Sequence, residues 1–161
     1  MNDADPAPSV SDDAKPELDP SCLQHLLGYQ LAQANVPIRR IFLKNIGASF
    51  QLGPVEFTVL SLVANNRDVT QKQLSRTLSV SAPNITALLD RLEQRGLLTR
   101  LRSQSDRRSQ VIRLTGTGAA LARKALEVSQ TMEHEALSHL SRGERGILIE
   151  LLQKVARHGR P

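Results

Sequence analysis

Apolar residues recur every three to four positions over most of the chain, which is the spacing of one face of an α-helix. The first such segment follows a polar N-terminal stretch and continues on both sides of Pro37. Its apolar residues are Leu23, Leu26, Leu27, Leu31, Ile38, Ile41, Phe42 and Ile46. Because proline removes a backbone N–H and clashes with the preceding turn of a helix, the sequence predicts a helical segment with a kink or break near residues 35–37.

Two shorter segments with the same periodicity come next. The first covers residues 52–66, and Pro54 suits its first turn. Its predicted inward stripe is Val55, Val59, Leu62 and Val63. After a polar turn at residues 65–68, Thr70 is a good N-cap for a second helix, in which Leu74 and Leu78 face inward.

The most regular helical pattern covers residues 81–96. Ser81 is placed to cap this helix, Pro83 is tolerated in its first turn, and Gly96 can end it in the left-handed conformation. Its apolar residues fall at i, i+3, i+4 and i+7, namely Ile85, Leu88, Leu89 and Leu92. The pattern predicts one face packed on the protein and one face in solvent.

Two short segments, LLTRLR and QVIRLT, show the partial alternation and the length of β-strands. The polar stretch RSQSDRRSQ lies between them and is predicted to be the tip of a β-hairpin. After Thr115 the pattern is helical again, first in a long amphipathic segment and then in a final helix over residues 141–159. The apolar residues of the long segment are Leu121, Leu126, Val128, Met132 and Leu137.

The order of these elements predicts a fold that is mainly α with a small β-hairpin. Three helices followed by a two-stranded wing form a winged helix-turn-helix. We therefore expect a disordered acidic tail at 1–20, an N-terminal dimerisation helix segment at 21–50, a winged helix-turn-helix lobe at 51–116 and C-terminal dimerisation helices at 117–161. The terminal helices have more apolar surface than the lobe needs for its own core, which predicts a homodimer.

Composition and charge narrow the class of protein. Aromatic residues make up only 2% of the chain, so aliphatic side chains must build the core, which favours helices over sheets. Residues 1–20 hold six acids and one base, whereas the rest holds 20 bases and 10 acids, a net charge of +10. A basic body of this kind predicts a polyanionic partner.

Other classes of protein find little support in the sequence. The N-terminus has no signal-peptide pattern, and no apolar run approaches the roughly 20 residues that span a bilayer, so a cytoplasmic location without membrane contact is expected. The histidines and acids show no spacing typical of a metal site or of a catalytic group. We predict neither an enzyme nor a cofactor.

The helix over residues 81–96 carries candidate DNA contacts on the face opposite its apolar stripe. This face presents Asn84, Ala87, Arg91 and Gln94. Asn and Gln can pair with adenine, Arg can pair with guanine, and an Ala methyl can contact that of thymine. Ser81 and Thr86, near the start of the helix, suit phosphate or base contacts. Seven arginines and no lysine lie in residues 91–113, and guanidinium groups suit phosphates.

These segments resemble the MarR-type (multiple antibiotic resistance regulator) family of transcription factors over roughly residues 23–158. DRRSQVIRLT fits the family's D-x-R-x5-L-T wing signature through Asp106, Arg108, Leu114 and Thr115, and VTQKQLSRTLSVSAPNITALLDRLEQRGLLTR resembles its helix-turn-helix. The resemblance implies an obligate homodimer that binds a pseudo-palindromic operator on double-stranded DNA and usually represses. It also implies release of DNA when a small phenolic or anionic ligand binds between the dimerisation and DNA-binding lobes.

Carried over by position, residues 81–95 would be the recognition helix and residues 103–109 the wing tip. The resemblance implies that Arg107 or Arg108 enters the minor groove. It also implies that Arg108 pairs with Asp90 and locks the wing to the helix, which leaves Arg107 as the freer contact. The full set of predicted DNA contacts is Gln71, Lys72, Ser81, Pro83, Asn84, Thr86, Ala87, Arg91, Gln94, Arg95, Ser105, Arg107 and Arg108.

The sequence leaves two kinds of stimulus open for such a regulator, a small-molecule ligand and peroxide. His25, Tyr29, Arg39 and Arg40 lie on or near the segment that would line the family's ligand pocket, where arginine suits a carboxylate or the phosphates of a coenzyme A thioester. Both arginines can instead be exposed or paired across the dimer. Some family members sense peroxide through a cysteine that aligns near Tyr29, whereas Cys22 is the only cysteine here. The main prediction is a DNA-binding regulator that responds to a small ligand. The alternatives are a regulator that senses redox state through its cysteine and a winged helix that binds protein instead of DNA.

Overall fold

The computed structural model describes residues 18–102 and 110–158 and divides the chain into two units between Ala34 and Asn35. A short 3-10 turn, Ser21–Leu23, precedes helix α1, Leu27–Phe42. The remaining elements are α2 (Pro54–Asn65), β1 (Val69–Thr70), α3 (Gln71–Leu78), α4 (Ala82–Gln94), β2 (Leu98–Arg102), β3 (Gln110–Leu114), α5 (Gly116–Ser129) and α6 (Arg142–His158). This is the predicted winged helix-turn-helix, with one strand more than expected.

Helix α1 runs through Pro37, so the predicted break is wrong. Proline removes one hydrogen bond to the carbonyl of Gln33. Both residues are exposed, so water can satisfy that carbonyl and the helix continues. Beyond Phe42 the chain stays helical through a π-type turn, Leu43–Gly47, and a last turn that ends at Gln51 in the left-handed conformation, with φ 53°.

Helix α2 begins at Pro54, two residues later than predicted, and Pro54 lies in its first turn as expected. The Glu56 carboxylate accepts a hydrogen bond from the backbone N–H of Gly53 at 2.8 Å. Val59 and Val63 are buried and Leu62 is partly buried, but the inward orientation predicted for Val55 is wrong. Val55 is 40% exposed because it faces an open cavity of about 530 Å³ between the start of α2 and α4.

Helices α3 and α4 form the helix-turn-helix. The Thr70 side chain caps α3, and it accepts from the backbone N–H of Gln73, as the sequence predicted. Ser81 occupies the N-cap position of α4, but its side chain makes no capping hydrogen bond. Pro83 lies at the second helical position and lacks one of the N–H groups that such a side chain usually accepts from. Gly96 has the predicted left-handed conformation, with φ 66°.

The wing is part of a three-stranded antiparallel sheet in the order β1-β3-β2. β2 pairs with β3 from Leu98↔Leu114 to Arg102↔Gln110, which confirms the predicted hairpin. β1 pairs Val69 with Ile112 on the other side of β3. The sequence did not predict β1 because two residues are too few to show the alternation of a strand.

The long helix predicted after Thr115 is shorter than expected, because α5 ends at Ser129. The Ser129 hydroxyl donates to the carbonyl of Leu126 at 2.7 Å and competes with the backbone ladder. Turns follow, and Met132 packs against the core from them. The final helix α6 starts after Ser141, and hydrogen bonds with the Ser141 side chain and backbone N–H lower the pKa of Glu144.

One largely aliphatic core joins the helices of the winged helix-turn-helix lobe to its sheet, to the helical turns before α2 and to α5. Its most buried large side chains are Ile46, Leu60, Leu74, Ile85, Leu89, Leu92, Leu98 and Val59. The apolar stripe predicted for α4 is therefore its buried face. Among the residues that the structure describes, no single helix is long and apolar enough to cross a membrane, although one bent pair of helices passes that test together.

Candidate nucleic-acid interface

Helix α4 presents the predicted polar row to solvent. Its members Asn84, Ala87, Arg91 and Gln94 are all exposed, while Ile85, Leu88, Leu89 and Leu92 are buried on the other side. Ser81 and Pro83, at the start of the helix, are exposed as well. The core thus fixes which face of α4 is available to a partner.

A side-chain hydrogen bond joins the two helices of the motif. Gln71 Nε2 donates to Thr86 Oγ1 at 2.7 Å, and that hydroxyl donates to the carbonyl of Ala82 at 2.8 Å. Lys72, beside Gln71 on α3, is exposed. Two of the predicted DNA contacts therefore also set the position of α4 relative to α3.

Glu56 forms ion pairs with Arg91 of α4 and with Arg95, the residue after that helix, and the sequence did not predict either pair. Its carboxylate oxygens lie 3.8 Å from Arg91 Nε and 3.6 Å from Arg95 Nη1. Arg95 Nη2 also donates to the carbonyl of Phe50 at 3.4 Å. The Arg91 side chain remains 59% exposed, against 32% for Arg95, so Arg91 is the more accessible of the two to a nucleic acid.

Arg100, on β2, forms ion pairs with two carboxylates of α4, those of Asp90 and Glu93. Nη2 lies 2.6 Å from Asp90 Oδ1 and Nη1 lies 2.6 Å from Glu93 Oε2. The predicted partner of Asp90 was Arg108, which lies outside the described residues together with Ser105, Asp106 and Arg107. Arg100 and Glu93 were missed, although a carboxylate pair at i and i+3 beside a basic strand was a usable signal.

The arginines that the structure describes between residues 91 and 113 therefore do not form one uniform basic surface. Arg91, Arg95 and Arg100 pair with the carboxylates described above, and Arg113 Nη2 lies 2.6 Å from Asp68 Oδ1. Pairs as exposed as Arg113–Asp68 contribute little stability and can exchange for phosphate. Arg100 is the most enclosed of the four, with its side chain 20% exposed.

The predicted effector residues lie in both units of the chain. His25 is exposed and Tyr29 half-buried in the first unit, whereas Arg39 and Arg40 are exposed in the second. A cavity of about 590 Å³ lies between the end of α2, β3 and α5, and Arg123 and Gln130 are among the residues that line it. The four predicted residues line neither this cavity nor the one beside α4.

Comparison with known proteins places this lobe in a family. A model of the MarR family matches residues 50–109. The solved structure of the transcriptional repressor CouR, bound to a 23-mer DNA duplex, is 38% identical, covers 88% of this chain and 99% of that chain, and superposes with a TM-score of 0.80. The chain belongs to the MarR family.

Further relatives agree with this membership. This chain is 32% identical over 119 residues to the HTH-type transcriptional regulator PecS of Dickeya dadantii. The aligned residues make up 72% of this chain and 72% of PecS. CouR bound to p-coumaroyl-CoA is 36% identical, covers 88% of this chain and 99% of that chain, and has a TM-score of 0.77. These MarR-like neighbours are transcriptional regulators, and this chain is a winged-helix regulator of transcription.

Proposed function

We propose that the protein is a homodimeric, ligand-responsive repressor that binds a pseudo-palindromic operator on double-stranded DNA. The observation that carries the proposal is the exposed polar row of α4, which is held outward by a buried apolar face. Such a row is what a recognition helix needs to read base edges in the major groove. The similarity to CouR on a DNA duplex supports the same role.

The basic charge of the chain supports DNA as the partner. Residues 21–161 carry a net charge of +10, from 20 bases and 10 acids. Each arginine that meets a phosphate releases counterions, so DNA binding would weaken steeply as salt rises. A winged helix that binds protein instead would not need this charge, and its complexes would show a shallower dependence on salt.

Apolar surface at both ends of the chain supports a dimer. Ile147, Leu151 and Val155 follow one another at i, i+4 and i+8 on α6 and are 59%, 52% and 51% exposed. In the other unit, Leu26, Leu27 and Leu31 are at least 41% exposed. Monomeric proteins rarely expose contiguous apolar stripes of this kind, and a second copy is the symmetric way to bury them.

The operator can be found by selection of bound duplexes from a random pool. A two-fold symmetric consensus with half-sites about one helical turn apart is the expected result for a dimer. Salt titration of the selected duplex, against a scrambled duplex of the same length, then separates specific from non-specific binding. A pool without enrichment would exclude operator recognition and leave the protein-binding alternative.

As a transcription regulator the protein would act in the cytoplasm.

Asn84→Ala is expected to weaken operator binding by about ten- to a hundred-fold and to relax the preference at one base pair of each half-site. Asn84 is exposed and alanine suits a helix, so the fold is expected to persist. Fluorescence anisotropy with the operator and with its single-base variants measures both effects. Gln153→Ala, at an exposed position of α6, is the control, and equal losses in both proteins would contradict the assignment of Asn84.

An aromatic acid or its coenzyme A thioester is the proposed effector class, supported by the p-coumaroyl-CoA complex of CouR. Such a ligand is expected to raise the melting temperature and to release the operator, whereas free coenzyme A is the control. Arg39→Gln with Arg40→Gln tests the predicted residues, and Arg123→Gln tests the 590 Å³ cavity. Release by peroxide that Cys22→Ser abolishes would support the redox alternative instead.

A further inference from the structure

Two carboxylates sit on the helix that is proposed to face DNA. Asp90 and Glu93 are one turn apart on α4, so they share one side of that helix. Their side chains are 48% and 37% exposed. Carboxylates this accessible on a recognition helix would repel the phosphates of a duplex unless a cation offsets them.

Arg100 supplies that cation from the neighbouring strand. Its two terminal nitrogens bind Asp90 and Glu93, both at 2.6 Å, and its backbone N–H also donates to Glu93 Oε1 at 3.2 Å. Arg100 faces Ile112 at the centre of the β2–β3 ladder. The fork therefore ties the middle of the hairpin to α4.

The enclosure of Arg100 distinguishes it from an arginine that binds phosphate directly. Its side chain is 20% exposed, whereas those of Arg91 and Arg113 are 59% and 54% exposed. Both ends of the fork are occupied by carboxylates, and planar guanidinium is suited to holding two of them at once. Arg100 thus already donates hydrogen bonds to carboxylates of the protein in the absence of DNA.

We propose that Arg100 is a positioning residue for DNA recognition and acts as the internal counter-ion of α4. It neutralises Asp90 and Glu93 and holds the hairpin beside the recognition helix, and it does not contact the phosphates. This inference rests on the proposed function in DNA binding. It gives β2 a role that is separate from the predicted pair between Arg108 and Asp90.

Arg100→Gln tests the proposal because it leaves both carboxylates without their cation. Operator binding is expected to weaken by about ten-fold or more, since like charges then face each other across the interface. The loss should become smaller as salt rises, because salt screens the repulsion between the carboxylates and the phosphates. Anisotropy titrations at several salt concentrations give both quantities, and circular dichroism checks the fold.

A rescue variant separates charge from structure. In the triple variant Arg100→Gln, Asp90→Asn, Glu93→Gln the side chains keep their size while the charges disappear, and operator affinity is expected to return to within about three-fold of wild type. Arg142→Gln removes the same charge at the exposed first residue of α6, outside the winged helix-turn-helix lobe, and a loss below about three-fold is expected for it.

Three results would overturn the proposal: unchanged affinity of Arg100→Gln, a loss that does not become smaller as salt rises, or a triple variant as weak as Arg100→Gln, which is what a direct phosphate contact of Arg100 would give. A triple variant that has lost its circular dichroism spectrum is replaced by Arg100→Lys, which keeps the charge without the planar fork and is expected to bind the operator more tightly than Arg100→Gln, and equal binding by the two would count against the proposal. Failure of the wild-type protein to bind any selected duplex would instead reject the proposed function, so the two failures are distinguishable.

Discussion

A protein that carries both Ile147→Glu and Leu151→Glu is expected to be monomeric and to bind the operator at least about a hundred-fold more weakly than wild type. Both side chains are more than half exposed in the single chain, at 59% and 52%. Glutamate is therefore tolerable in the protomer. In the proposed dimer the same positions would be buried, and an unpaired charge there is strongly unfavourable.

The loss of operator binding follows from the loss of the dimer. A symmetric operator has two half-sites, and a linked pair of recognition helices gains affinity because the second helix binds without a new diffusional encounter. A monomer would bind one half-site only. The Asn84→Ala effect should persist in this background, because the α4 contacts of a single protomer are unchanged.

Sedimentation velocity over a range of concentrations measures the oligomeric state, and anisotropy measures binding. The matched control is Arg142→Gln with Gln153→Glu, which changes the charge of α6 by the same amount on the face opposite the stripe. Both residues are exposed. A double glutamate variant that stays dimeric would place the dimer interface elsewhere.

Local patterns in the sequence were enough to predict most of the lobe. The buried face of α4 follows from helical spacing, and the Thr70 cap and the Gly96 turn follow from residue preferences at helix ends. Both end positions depend only on neighbours within a few residues, and the structure has both. The hairpin was predicted for the same reason.

Contacts between distant segments could not be predicted in this way. Glu56 is the third residue of α2, and a capping role at Gly53 is all that its local sequence indicates. Its ion pairs with Arg91 and Arg95 exist because the core packs α2 beside α4. Periodicity states which face of a helix is buried but carries no information on the element that covers it.

In the candidate site too, local features could be predicted from the sequence and contacts between distant segments could not. Sequence periodicity was sufficient to place Asn84 and Arg91 on the exposed face of α4, because that face is the complement of the apolar stripe. The fork of Arg100 depends on strand register, which joins Arg100 to the middle of the hairpin and to Asp90. A shift of one residue would turn Arg100 to the other face of the sheet.

Gly118→Ala is expected to destabilise the protein by about 3 kcal/mol, at the upper end of the cost of overpacking a core. Gly118 is buried in the first turn of α5, and an added Cβ would lie 1.8 Å from the carbonyl oxygen of Leu97. That oxygen belongs to the backbone and already accepts a hydrogen bond from Thr115 at 3.1 Å. The start of α5 must therefore move away from the start of the hairpin.

Gly116→Ala, two residues earlier, is the matched control, because its added Cβ would meet nothing within 4 Å. Alanine should stabilise the helix there by up to about 1 kcal/mol. Urea unfolding at one fixed protein concentration compares the two, since the stability of a dimer depends on concentration. Because Gly118 lets α5 pack against Leu97, the residue before β2, its variant should also weaken operator binding at temperatures where it is still folded. Equal free energies of unfolding for the two variants would show that the start of α5 can move away from Leu97 without loss of stability, and that glycine is not needed at position 118.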